Sequence, residues 1–159
     1  MIERQNPCFH VRARALYCFL VGELKLEFNM ALSDRLNQYQ PYALTVLRIV
    51  TGVLFIEHGL QKLVGFPAGG QFPSPLPTLL LVQGIIEIVG GLATIVGFFT
   101  RPVAFILCGN MAVAYFMAHY PKNFFPANNG GDAAILYCFI FLFLIFAGPG
   151  LLAIDNSKK

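Results

Sequence analysis

The chain has 159 residues, 57% of them hydrophobic and only 12% charged, with a net charge of +3. Soluble domains run about 45–50% apolar and about 25% charged, so the composition argues against a soluble fold and for a single-domain membrane protein. The small charge gives no support to nucleic acid as a partner, and no Gly-rich phosphate loop of the P-loop or dinucleotide type is present.

In chain order, residues 1–41 read as a cytoplasmic N-terminal segment. Their apolar run, 15–22, is too short to span a bilayer and lacks an A-x-A-like cleavage site. It reads either as an interfacial amphipathic helix or, more simply, as part of an upstream extension. Met30 begins a sensible chain of its own, so residues 1–29 are expected to be poorly ordered.

Four segments then have the length and apolar character of spanning helices: 42–64, 78–99, 102–120 and 132–149. The gaps carry turn chemistry: GFPAGGQFPSPLP, the three residues Thr100-Arg101-Pro102, and PKNFFPANNGG. Pro102 is expected to open the third helix, where its missing N–H costs nothing. Arg4, Arg12, Arg14, Lys25 and Arg35 precede the first span, Arg101 sits in the second gap, and Lys158 and Lys159 end the chain. The other side has Lys62 and Lys122 only. The positive-inside rule therefore places both termini, with a 151–159 tail, in the cytoplasm. The expected fold is all-α: a four-helix transmembrane bundle over residues 42–150 with antiparallel neighbours.

The first span ends in LFIEHGLQKLVGF, which puts Glu57, His58, Gln61 and Lys62 within two turns. The second carries Gln83 and Glu87 at i, i+4. The third carries Asn110, Tyr115 and His119, and Asp132 opens the fourth, with Tyr137 further down. Every span thus brings polar groups to the outer half, whereas the inner half has Arg48, Thr51 and Thr94. Ionisable groups in hydrocarbon face the bundle interior and mark functional sites by default. Glu57, His58, Gln61, Lys62, Gln83, Glu87, Asn110, Tyr115, His119 and Asp132 are therefore expected to line an outward-facing pocket and to include proton-transfer groups. The plainer alternatives stay open. Glu57 and Glu87 pair with Lys62 or His58 as structural glue. His58 and His119 are interfacial hydrogen-bonders. Lys62 and Arg48 snorkel toward headgroups. Asp132 is an N-cap. Gly84, Gly90, Gly91 and Gly97 permit close helix contact. No ExxH or HxxxH pattern supports a metal site. Cys8, Cys18, Cys108 and Cys138 form no CxxC pair and have no flanking cation to make a reactive thiol.

LRIVTGVLFIEHGLQKL at 47–63, E-x-x-G-G and LATIVGFFTR at 87–101, GGDAAILYC at 130–138 and GPG-LLAID at 148–155 resemble the DoxX family of small bacterial membrane proteins. The match covers about residues 40–155. The family pattern falls on Arg48, Gly52, His58, Gly59 and Lys62, on Glu87, Gly91, Gly97, Thr100 and Arg101, and on Gly148, Pro149, Gly150 and Asp155. A family Glu at the start of the fourth span is Asp132 here, and a Ser-Leu-Asp ending is Ala153-Ile154-Asp155, which removes a hydroxyl. The resemblance implies an inner-membrane, multi-pass protein. It also implies an accessory or quinone-interacting subunit of a membrane oxidoreductase, of the quinol oxidase or thiosulfate:quinone oxidoreductase kind. Because no motif binds haem or flavin, electrons would be carried by quinone or by partner subunits. The other readings are a small-solute binding or transport protein, which at four spans would need a homo-oligomer, and a membrane scaffold.

Overall fold

The computed structural model describes residue 27, residues 30–70 and residues 72–158. The readings made of residues 1–26, 28 and 29, with Cys8 and Cys18, lie outside the described residues. The chain divides into two units, Met1–Gln40 and Pro41–Lys159. In the first, residues 30–37 are helical.

Among the described residues the structure is all-helical. Helix α1 is Gln40–Val64, α2 is Thr78–Val96, and α3 is Thr100–Ala114, which runs on as a π-helical turn over Tyr115–His119. A single turn, α4, covers Pro126–Asn129, α5 covers Asp132–Ala147, and a 3-10 turn covers Ile154–Lys158. By length and composition α1, α2 and the continuous stretch Thr100–His119 are able to cross a membrane. Helix α5 is equally apolar but has 16 residues. That is about 24 Å, short of a hydrocarbon core of about 30 Å.

Helix α1 begins two residues before the expected span, and three other boundaries depart from the periodicity for a local reason. Helix α2 stops at Val96 rather than Phe99 because Gly97 takes a left-handed conformation, φ 66°. The N–H groups of Gly97 and Phe98 turn back onto Thr94 O and Ala93 O. Gly97 is thus the C-cap of α2, and it also permits a close approach, since a Cβ there would strike Arg48 of α1 and Ala153. Helix α3 begins at Thr100, two residues before Pro102, because Phe99 caps it at φ 46°, a costly region for a non-glycine residue. Pro102 still falls in the first turn, where no donor is needed. Helix α5 ends at Ala147 because Gly148 breaks away at φ 82°.

Helices α1 and α2 meet along a glycine seam. A Cβ on Gly52 would lie 2.8 Å from Gly91 O, and one on Gly59 would lie 2.7 Å from Gly84 O. The two contacts are seven residues apart on each helix and run in opposite order, as an antiparallel pair requires. Seven residues make about two turns and return to the same face, so backbone rests on backbone twice. Gly90 faces α3 instead, where its Cβ would strike Leu107. The core joins Phe55 of α1, Ala104, Leu107 and Met111 of α3, and Phe141 and Leu144 of α5. Phe55 meets the Phe141 ring edge-on at 4.9 Å and Tyr137 at 5.5 Å.

Candidate functional site

Beside this core, at the end of the bundle where α1 finishes and α2 begins, lies a cavity of about 360 Å³. Phe55, His58 and Lys62 of α1, Gln83 and Glu87 of α2, Met111 and His119 of α3 with its π turn, and Tyr137 of α5 line it. Its one ion pair is the most buried polar feature. Lys62 Nζ lies 2.5 Å from both carboxylate oxygens of Glu87, whose side chain is 1% exposed, against 13% for Lys62. Lys62 therefore does not snorkel. The Cα–Cβ bond of a helical residue tilts toward the helix N-terminus. From the C-terminal turn of α1 that direction leads deeper into the bundle, to Glu87, rather than out to headgroups.

His58 stands edge-on to Tyr137 at 5.6 Å. His119 Nδ1 lies 3.1 Å from Asn129 O. A carbonyl only accepts, so Nδ1 carries the proton and Nε2 is left as an acceptor. Tyr115 stacks on the His119 ring at 6.3 Å. Asn129 is itself buried, donating to Asn123 O and accepting from Gly131 N. The π turn carries His119, and π-bulges recur at functional sites.

The structure brings together His58, Lys62, Gln83, Glu87 and His119 and adds Tyr137 and Lys122 to them. The other five predicted residues are elsewhere. Glu57 is exposed. At about 100° per residue it projects from the far side of α1 relative to Phe55, His58 and Lys62. Gln61 turns to the following loop, donating to Pro67 O at 3.4 Å. Asn110 lines a smaller cavity of about 240 Å³ between α2 and α3, which also touches Gln83. Tyr115 backs His119 from outside the lining. Asp132 is exposed and is the first residue of α5 rather than its cap, because Gly131 at φ −91° takes the cap position. Its carboxylate still suits the positive end of the helix.

Arg48, Thr100, Arg101, Gly148, Pro149, Gly150 and Asp155 lie around the opposite end, among the contacts that join the helix termini. Arg48 is 0% exposed. Its Nη1 donates to Thr94 O and Ile95 O, both at 2.7 Å, and its Nη2 to Leu152 O. It does not snorkel, because the carbonyls at the C-terminal, negative end of α2 receive it first. Asp155 accepts from Phe99 N and Thr100 N, both at 2.8 Å, and so supplies from 55 residues away the side-chain cap that Phe99 lacks. Arg101 donates to Ile145 O and Phe146 O at the end of α5. Gly150, at φ 77°, passes so close to Thr45 and Pro41 that a side chain has no room. Thr45 Oγ1 accepts from Leu151 N there.

The DoxX family model matches residues 43–120. An uncharacterized protein of Haemophilus influenzae is 46% identical over 130 residues, which cover 78% of this chain and 96% of that protein. The Escherichia coli inner membrane protein YphA is 26% identical over 133 residues, 74% of this chain and 91% of YphA. No solved structure matches significantly.

Proposed function

The chain belongs to the DoxX family, and from that premise we propose that it is an accessory, quinone-interacting subunit of a membrane oxidoreductase, of the quinol oxidase or thiosulfate:quinone oxidoreductase kind. It is a multi-pass protein of the bacterial inner membrane. In this reading α1, α2, α3 and α5 each cross once. The side bearing Arg101 and the chain ends is cytoplasmic, and the cavity opens outward.

The observation that carries the proposal is a polar cavity inside an apolar bundle, floored by the buried Lys62–Glu87 pair. Its volume lies at the lower end of ligand sites, which run from about 300 to 1,000 Å³, and suits a headgroup with the tail left in lipid. A bound quinone supplies two-electron, two-proton chemistry. The Tyr137 hydroxyl and the His58 ring supply hydrogen bonds to carbonyl oxygens. The Lys62–Glu87 pair fixes charge beside them without needing to reorganise. His119, whose Nδ1 is committed to Asn129 O, offers Nε2 as the proton acceptor. Glu57 supports the subunit role. It is an exposed carboxylate on α1, seven residues from Val64, or about 10 Å deep. A charge there is costly against lipid and is relieved by a partner subunit.

The test is Glu87→Gln in the intact complex. Quinone-dependent turnover is expected to be lost while the chain still folds and assembles. Turnover at the full rate would mean that the pair only holds helices together. A second reading, a small-anion binding or transport protein, is favoured by Lys62 and Lys122 standing against one lining carboxylate, Glu87. It predicts anion uptake by proteoliposomes containing this chain alone.

A further inference from the structure

Cys108 of α3 and Cys138 of α5 are 30 residues apart, yet their sulfurs lie 3.6 Å from one another. Both are partly buried against the core seam, with Leu107 and Met111 on one helix and Ala134 and Phe141 on the other. Cys108 is eight residues from the start of α3 and Cys138 six from the start of α5. Those offsets are about 12 and 9 Å from opposite ends, so the pair sits near mid-depth. One turn away, Met111 and Ala134 line the polar cavity. The two sulfurs thus lie one turn from its α3 and α5 walls, outside the lining.

From this juxtaposition we propose that Cys108 and Cys138 form a redox-active dithiol that closes to an intramolecular disulfide linking α3 to α5. A disulfide needs about 2.05 Å between sulfurs, so the thiols must approach further by side-chain rotation and a small helix shift. Two S–H bonds break and one S–S bond forms. Two electrons and two protons pass to an oxidant. Surrounded by apolar side chains at mid-depth, the pair admits a lipid-soluble oxidant of the quinone class, whose two carbonyl oxygens become the two hydroxyls of the quinol. The acceptor class agrees with the proposed function, but the dithiol does not require the quinone to occupy the cavity.

The experiment uses the full chain in nanodiscs with Cys8→Ser and Cys18→Ser, so that only the pair reacts. Thiols are counted after denaturation by maleimide mass labelling. Decylubiquinone is expected to lower the count from two per chain to none, dithiothreitol to restore two, and oxidised glutathione, confined to water, to act far more slowly. Adding Cys108→Ser should leave one labelled thiol under every condition. A count that stays at two with decylubiquinone overturns the proposal, as does equal closure by oxidised glutathione. Decylubiquinone binding to the Cys108→Ser, Cys138→Ser chain separates the two readings. Binding without closure in the parent sinks the dithiol and leaves the cavity reading intact. Closure that survives Glu87→Gln with no cavity binding does the reverse.

Discussion

Lys62 and Glu87 show how much one side-chain direction decides. The carboxylate is sealed from solvent with its ammonium partner 2.5 Å away. Removing one member of such a pair leaves an uncompensated buried charge, at a cost of about 3–5 kcal/mol, whereas replacing both with apolar groups is often neutral. Lys62→Met is therefore expected to lower the thermal midpoint in detergent sharply, and Lys62→Met with Glu87→Leu to regain most of it. If the double variant is as unstable as the single, the pair is not what the carboxylate depends on. Arg48 makes the parallel case with backbone partners. Its guanidinium spans Thr94 O, Ile95 O and Leu152 O. An ammonium lacks that planar fork. Arg48→Lys should cost about 1.5–3 kcal/mol for each bond lost, as is typical of bonds to a charged group. An unchanged denaturation midpoint would show the fork to be dispensable.

Between elements, the glycines divide by what they touch. Gly91 presses on Gly52 O and Ile56, whereas Gly109 has open space where a Cβ would go. Gly91→Ala should therefore force α1 from α2 and destabilise the bundle. Gly109→Ala should be neutral or gain up to about 1 kcal/mol from helix propensity. Denaturation midpoints in mixed micelles compare the two directly; equal effects would refute the seam. The tight turn between α2 and α3 depends on Asp155 in the same way. Asp155→Ala removes the acceptor for Phe99 N and Thr100 N. It should cost about 1–2 kcal/mol, as cap losses do. The apolar runs and their Gly and Pro punctuation made the helices legible. The clasp that joins the helix termini through Arg48, Arg101 and Asp155 was not legible, because Arg48 and Arg101 bind main-chain carbonyls, which every residue possesses and no motif displays. The Gly52–Gly91 and Gly59–Gly84 pairings needed the register of two helices, which spacing along one chain does not contain.

Across the whole molecule, polarity is concentrated at one end of the bundle and the carbonyl-binding clasp at the other. Counting polar groups by depth was enough to locate the cavity end, but not to say which residues face inward. Glu57 and Gln61 share an i, i+4 stripe, as do His58 and Lys62, and only the second stripe lines the cavity. Tyr137 joins it because α5 packs across Phe55, a contact no local pattern reveals. Glu57 lies outside the lining and, in the proposed reading, meets a partner subunit. Glu57→Leu should remove an oxidoreductase partner from the material co-purified in mild detergent while leaving the chain folded. Retention of the full complex would take that role from it.

We propose that the cavity between α1, α2, α3 and α5 holds a quinone headgroup. The most direct test is photolabelling of the chain in nanodiscs with an azido-quinone, followed by peptide mapping. Label is expected on the peptides carrying His58, Gln83 and Tyr137, displaced by excess unlabelled quinone and lost in Glu87→Gln. Label scattered along outward-facing residues such as Phe105, Val89 and Phe139, undiminished by competitor, would contradict it.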